Sequence, residues 1–426
     1  MTVVRIRPSV VEGRTVAPPS KSYTHRFLLA AHLSGRRARV VRPLQSDDTV
    51  RTARGLGPLG SHVVRTRGVW TVTPRPIRTS AALRTVDCGE SGTTLRLLTA
   101  IAARQEGPTR FVGSGRLPRR PMAPLFEALS ALGAKVETAG PTRALPFQIS
   151  GPIHGGNVAL AVDTSSQFTS ALLLALPTLP EDSRLRTRGR PVSEPYVAAT
   201  LAVLDRCGIE VGVRRSGFQI PGGQRFRPVP RPVPGDASSA AYLWVAAALT
   251  GGHVTVEGVP PAWPQADLAI LELLRRAGSE VRRRGDEVTV AAGDRRRPFR
   301  AELTDSPDLY PLAGVLAAAT PGRSELRGAP QVVAKESDRR QETARLARAM
   351  GATVRSSPGG LVIEGSGQPR RLRLRGLADH RLVMSAAVAA VAADGASEIA
   401  DASAVSKSFP DFFAALRTLG GEVGPR

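Results

Sequence analysis

Lys21, Lys335 and Lys407 are three of only four lysines in this 426-residue chain; the other 55 basic residues are arginine. Each stands in a short polar stretch, "PPSKS", "AKESDRR" and "VSKSFPD", whereas the fourth, Lys135, lies in "ALGAKVE". A chain that uses arginine almost everywhere, yet keeps lysine there, has a use for a compact ammonium rather than a planar fork. Arg120 in "PRRPM", Arg339 in "KESDRR" and Arg381 in "DHR" stand in similar stretches. Ser165, Ser166 and Gln167 supply more hydrogen-bonding groups than a helix cap needs. Asp308 in "DSPDLYP" and Glu336 beside Lys335 are carboxylates among cations, suited to accept a proton that a reaction supplies. His380 opens an apolar run, where it is either a neutral donor or a cap. The chemistry these residues suit is the binding of anions, with acid–base groups alongside.

The stretch from Ala17 to Ala31, "APPSKSYTHRFLLAA", shows how such a site is built. The prolines end what precedes them, Ser20 is placed as a helix N-cap, and Lys21 and Arg26 fall in the first turns. Cations are the wrong charge for a helix start, whose dipole prefers anions. The missing anion is then a ligand, taken at the positive end of the helix.

The same pattern of small polar loop and Ala/Leu-rich helix recurs six times, near Ser20, Ser91, Ser165, Ser238, Ser306 and His380, at intervals of 71, 74, 73, 68 and 74 residues. A second helix follows in each repeat and ends on a glycine before an alternating strand: Gly60, Gly133, Gly208, Gly278, Gly351 and Gly420. The fold class is therefore α/β (α+β), built from six βαβαββ units. The first helix of each unit is apolar all round and so is buried, with parallel neighbours bringing their positive ends to one face. The six units make one or two larger domains, and the Pro-rich "FRPVPRPVPGD", lying midway, is the linker candidate at which to divide them into two domains of three units. The first spans 17–234; the second combines 235–426 with 1–16, the strand before "APPSKS" being assigned to the other half.

Composition narrows the function. Net charge is +23, from 59 basic and 36 acidic residues, which invites a polyanion partner. The arginines are scattered, however, and aromatics make up 4%, too few for stacking platforms. Two cysteines, Cys88 and Cys207, make no disulfide framework and point to a reducing compartment. No apolar stretch approaches the roughly 18 residues of a membrane span, and "MTVVRIRPSVVEGR" lacks a signal-peptide core. The six histidines show no metal-ligand spacing. There is no phosphate-binding P-loop and no dinucleotide fingerprint. These readings describe a cytoplasmic protein with no membrane, nucleic-acid or metal partner.

Taken in order, "PPSKSYTHR", "SDDT", "CGESGTTLRLL", "RRPM", "SSQFTSALLLALP", "VSEPY", "GDASSAAY", "DSPDLYP", "KESDR", "DHR" and "SKSFPDF" are similar to the motifs of the 5-enolpyruvylshikimate-3-phosphate synthases, the 3-phosphoshikimate 1-carboxyvinyltransferases. The resemblance covers essentially the whole chain. It implies the enolpyruvyl transferase fold, two domains of three units closing on their substrates. It also implies transfer of the enolpyruvyl group of phosphoenolpyruvate to the 5-hydroxyl of shikimate 3-phosphate, in the shikimate pathway towards chorismate and the aromatic amino acids. Carried over by motif, Lys21, Gly92, Arg120, Gln167, Arg339, Arg381 and Lys407 hold phosphoenolpyruvate. Lys21, Ser22, Arg26, Ser165, Ser166, Gln167, Ser193, Tyr196, Asp308 and Lys335 hold shikimate 3-phosphate. Much of that second set lies in 17–234, and the acid–base residues lie in the other domain. Asp308 takes the hydroxyl proton, and Glu336, with Lys21 and His380, is the candidate for protonating the enol methylene. Glu90 and His25 stand where asparagine is common, and Val333 replaces an arginine that supports Lys335.

Three other readings compete. An enolpyruvyl transferase acting on UDP-N-acetylglucosamine shares the fold but presents a cysteine acid near the Arg120 motif, and "GSGRLPRRPM" has none. A paralogue could take another shikimate-like acceptor. A basic nucleic-acid-binding protein would show steep salt dependence.

Overall fold

The computed structural model describes residues 3–76, 82–140 and 144–425. The six glycines found by spacing share one conformation, with φ between +73° and +106°. After each, an N–H reaches back five residues: Ser61 to Leu56, Ala134 to Leu129, Ile209 to Leu204, Ser279 to Leu274, Ala352 to Ala347, and Gly421 to Leu416. This is the Schellman end of a helix, which needs a left-handed residue, and glycine adopts that conformation at least cost. One device thus turns helix into strand six times.

The chain divides into a contiguous unit, Pro19–Val233, and a split unit, Met1–Pro18 with Pro234–Arg426. The contiguous unit holds α1 (Lys21–Leu33), α2 (Asp47–Gly55), α3 (Gly92–Ala103), α4 (Ala123–Ala131), α5 (Ser166–Ala175) and α6 (Glu194–Arg206). Two of its three sheets have one plan. Arg84–Asp87 pairs in parallel with Gly107–Val112, which pairs antiparallel with Phe147–Gly151, and Lys135–Thr138 forms the edge. Gly156–Ala161, Ser183–Arg188, Gly217–Ile220 and Gly212–Arg214 repeat that order. Parallel pairing needs a crossover, which α3 and α5 supply. The remaining sheet, Ala38–Val41, Val69–Pro74 and Ser61–Thr66, has three strands.

The split unit holds α7 (Ala237–Thr250), α8 (Ala269–Arg276), α9 (Tyr310–Ala318), α10 (Arg339–Ala349), α11 (His380–Val391) and α12 (Phe412–Thr418). Two N-terminal strands complete its sheets. Gly13–Val16 pairs in parallel with His253–Glu257, and Val4–Arg7 lies between Ser397–Ile399 and Glu422–Pro425. The strand before α1 therefore sits in the split unit, which leaves the first sheet of the contiguous unit one strand short.

The helices that open each repeat are buried nearly throughout, as with α7, α9 and α11. Each fully buried leucine or valine there stabilises by about 1.5–3 kcal/mol. Trp244 and Tyr310 anchor the split core, and Trp70 and Phe168 are buried in the contiguous unit. Two cap assignments change. Ser20 takes the N-cap position of α1, but its side chain makes no cap bond. His380 is the first helical residue of α11, and the cap is Asp379, whose carboxylate accepts from Arg381 N at 2.9 Å. A carboxylate serves the positive helix end better than an imidazole, because it accepts the N–H bond and complements the dipole.

Candidate active site

In the contiguous unit the expected residues gather at the starts of α1, α3, α5 and α6. Lys21 opens α1, and its Nζ lies 3.1 Å from Asp48 Oδ2; the two side chains are 15% and 6% exposed. Asp48 belongs to the first turn of α2. One turn after Lys21, Arg26 is buried. It donates to Thr200 Oγ1 (2.8 Å), the Ser22 carbonyl (2.9 Å) and the Tyr196 carbonyl (2.8 Å). Burial lowers Arg26 to about 10, so it stays charged at neutral pH. It ties α1 to α6 and fixes Ser22 and Tyr196, while Ser193 holds a left-handed turn ahead of α6. His25 Nδ1 shares a hydrogen bond with Thr52 Oγ1 at 2.7 Å in the core. Burial, then Lys21 and Arg26, hold its pKa well below the usual value.

Ser165 caps α5 by accepting from Gln167 N, next to Ser166. The Gln167 amide accepts from Arg96 Nη1 at 2.8 Å and donates to Thr93 Oγ1 at 3.0 Å. Arg96 also donates to the Pro121 carbonyl at 3.1 Å and lies 5.1 Å from the Phe168 ring centre. It thus joins α3, α5 and the loop that carries Arg120. Arg120 is buried, and its guanidinium lies against the start of α3. A Cβ on Gly92 would come within 2.7 Å of Arg120 Nη1, so only glycine admits the guanidinium there unmoved.

In the split unit one guanidinium is the hub. Arg339, 1% exposed, donates to Asp308 Oδ1 (2.7 Å), Glu336 Oε2 (2.9 Å) and Asp379 Oδ2 (2.8 Å). Burial alone would lower its pKa, but Asp379, Glu336 and Asp308 outweigh burial and hold it above the ordinary arginine range. Arg381 grips the other oxygen of Asp308, Nη2 to Oδ2 at 2.6 Å. Lys335 Nζ stands 3.7 Å from Asp308 Oδ1. Val333 is exposed on the preceding 3-10 turn, so the neighbour of Lys335 that the structure supplies is Asp308. His380 is buried, with Nδ1 3.6 Å from Asp379 Oδ1. Lys407 is buried at the end of the 3-10 helix Ala402–Lys407, which packs on α11.

The expected residues therefore form two clusters, one in each unit. Sequence reading missed Asp48, Arg96 and Asp379. Signals existed for each: the acid pair after Ser46, a lone arginine inside an apolar helix, and an aspartate just ahead of a helix. Chemically, the first cluster presents cations and hydroxyls suited to phosphate and carboxylate groups. The second holds three carboxylates, Asp308, Glu336 and Asp379, around the Arg339 guanidinium. Among the described residues no group of His, Cys, Asp or Glu is arranged to hold a metal, and no helix is long and apolar enough to cross a membrane.

The family model described as EPSP synthase (3-phosphoshikimate 1-carboxyvinyltransferase) matches residues 6–416. This chain belongs to the EPSP synthase family. The 3-phosphoshikimate 1-carboxyvinyltransferase of Halobacterium salinarum is 40% identical, over 98% of this chain and 99% of its own. The enzyme of that name from Methanocaldococcus jannaschii is 33% identical over 97% of each chain. The solved EPSP synthase of Acinetobacter baumannii superposes with a TM-score of 0.83, covering all of both chains at 23% identity, a likeness of fold.

Proposed function

We propose that this chain transfers the enolpyruvyl group of phosphoenolpyruvate to the 5-hydroxyl of shikimate 3-phosphate and releases phosphate. The observation that carries this reading is Asp308, held between Arg339 and Arg381 beside Lys335, in a member of the EPSP synthase family. Lys21, Ser22, Arg26, Ser165, Ser166, Gln167, Ser193, Tyr196, Asp308 and Lys335 serve shikimate 3-phosphate. Arg26 does so mainly by fixing Ser22 and Tyr196. Lys21, Gly92, Arg120, Gln167, Arg339, Arg381 and Lys407 serve phosphoenolpyruvate, with arginines on its carboxylate and phosphate. Asp308 accepts the hydroxyl proton. Glu336, with Lys21 and His380 as the other candidates, supplies a proton to the enol methylene. The reading needs no metal or organic cofactor, and we take the working form to be a cytoplasmic monomer.

The test is phosphate release from phosphoenolpyruvate with each acceptor in turn. Shikimate 3-phosphate should support turnover, and UDP-N-acetylglucosamine should not. Release with the nucleotide sugar alone overturns the acceptor assignment. Light scattering at the 45.0 kDa chain mass checks the monomer.

A further inference from the structure

Asp267 is a buried carboxylate with no part in the roles above. It lies in the 3-10 turn Ala266–Leu268 ahead of α8, and two clamps fix the backbone around it. Gln265, two residues back, accepts from Ala237 N at 2.8 Å and donates to the Gly235 carbonyl at 2.9 Å, binding the turn to the start of α7. Ser306, two residues before Asp308, donates to the Ala266 carbonyl at 2.8 Å. Asp267 is thus held between the α7 start and the Asp308 turn. Ser238, in the first turn of α7, hydrogen-bonds the Asp267 carboxylate. Its Oγ also accepts from Arg381 Nη1 at 2.6 Å, and Arg381 Nη2 donates to Asp308 at 2.6 Å.

We propose that Asp267 and Ser238 are positioning residues, the far end of a hydrogen-bonded chain Asp267–Ser238–Arg381–Asp308 that aims the Arg381 guanidinium and sets the charge felt by Asp308. A serine hydroxyl has one proton to give. Because Asp267 takes it, the oxygen lone pairs turn towards Arg381, and one face of the guanidinium is fixed while the other meets Asp308. The charged groups facing Asp267 are Asp308, Arg381 and, from the α7 cap, Asp236. Burial first, then repulsion from Asp308, push the Asp267 carboxyl up to about 6. That repulsion is mutual, so the Asp267 charge favours a proton on Asp308. A carboxylate gripped by two arginines is otherwise a poor base, and the second negative charge offsets part of that loss.

The proposal rests on Asp308 as the base, and the experiment separates the two. Asp267→Asn, Ser238→Ala, Ser238→Thr and Asp308→Asn are assayed by phosphate release across pH, after melting temperatures are compared. Asp267→Asn keeps shape and loses charge, so the acid limb of kcat/KM should move down by about one pH unit. Ser238→Ala removes a charge-assisted acceptor and should raise KM for phosphoenolpyruvate by roughly tenfold, with kcat changed less. Ser238→Thr keeps the hydroxyl and should restore most of the affinity. If Asp308→Asn is inactive while the acid limb of Asp267→Asn and the KM of Ser238→Ala match the unmodified protein, the chain of bonds has no such role. If Asp308→Asn turns over normally, the base assignment itself has failed. Should Asp267→Asn melt far below the parent, the Ser238 pair decides the question alone.

Discussion

Lys21 pairs with Asp48 in the contiguous unit, but the two clusters hold their arginines in different company. In the contiguous unit Arg26 and Arg96 are gripped by neutral groups: the Thr200 hydroxyl, the carbonyls of Ser22, Tyr196 and Pro121, and the Gln167 amide. In the split unit Arg339 meets three carboxylates, and Arg381 meets Asp308. Neutral acceptors orient a guanidinium without cancelling its charge, so the first arrangement keeps a positive field for anions. Carboxylates cancel charge, and in exchange they place titratable oxygens where protons can move. The arginines of one unit therefore keep most of their charge, and those of the other spend it orienting carboxylates.

Removing the titratable oxygen should produce the largest effect. Asp308→Asn preserves shape and loses basicity, and a positioned general base is worth roughly 100- to 10,000-fold in turnover. Steady-state assays should show that loss with near-normal affinity for shikimate 3-phosphate; turnover within about threefold of the parent would erase the division between the units. Next in size is a paired comparison of stability. Arg339→Met leaves Asp379 buried and uncompensated, which costs about 3–5 kcal/mol. Arg26→Met strands neutral acceptors, at about 1–3 kcal/mol. Equilibrium urea unfolding of both variants should rank them in that order, and equal losses would show that the carboxylates do not distinguish the clusters.

The lysines provide a smaller test. Lys21 is 15% exposed and Lys407 is buried, whereas the Lys135 side chain is 76% exposed and pairs with Glu137. Lys21→Arg and Lys407→Arg should each lose about tenfold in kcat/KM, because a planar fork displaces the charge. Lys335→Arg should lose chiefly affinity for shikimate 3-phosphate, and Lys135→Arg should change nothing. The smallest effect concerns pH. Burial, then Arg104, hold His32 down at about 4, so the ring is neutral when folded and protonates near 6.5 when unfolded. The unfolded chain then binds the extra proton between those values, and stability falls as pH drops from about 6.5 towards 4. Between pH 7 and pH 5 this ring contributes about 1–2 kcal/mol of that loss. His32→Gln should flatten the slope by that amount in parallel urea titrations.

The repeat was legible because it is written in local chemistry: a glycine that must be left-handed, an apolar helix, an alternating strand. The positions of Lys21, Asp308, Arg339 and Arg381 at helix starts were legible for the same reason. Their partners were not. Asp48 lies 27 residues from Lys21, Asp379 lies 40 from Arg339, and Asp308 lies 73 from Arg381. Such pairs are brought together by the stacking of repeats, which no local pattern records. Arg26 shows both sides. Its place one turn after Lys21 could be read from the sequence, but its ties to Thr200 and Tyr196 of α6, 174 and 170 residues away, could not.

The crossing of the two N-terminal strands into the split unit has a consequence for synthesis. Among the described residues every strand in the sheets of Pro19–Val233 comes from within that segment, so these sheets can pair once Val233 has emerged. Val4–Arg7 emerges before that segment, yet its neighbours begin at Ser397 and Glu422. At ordinary translation rates that is a wait of roughly 20 to 80 seconds. Through that interval a β-prone segment stands with both edges open beside a folded neighbour, the state in which strands pair with the wrong chain. "VRIRPSVVEGRTV" carries three arginines and a proline over that stretch. Charge and a missing N–H donor discourage such pairing, so the early strand stays available for its late partners.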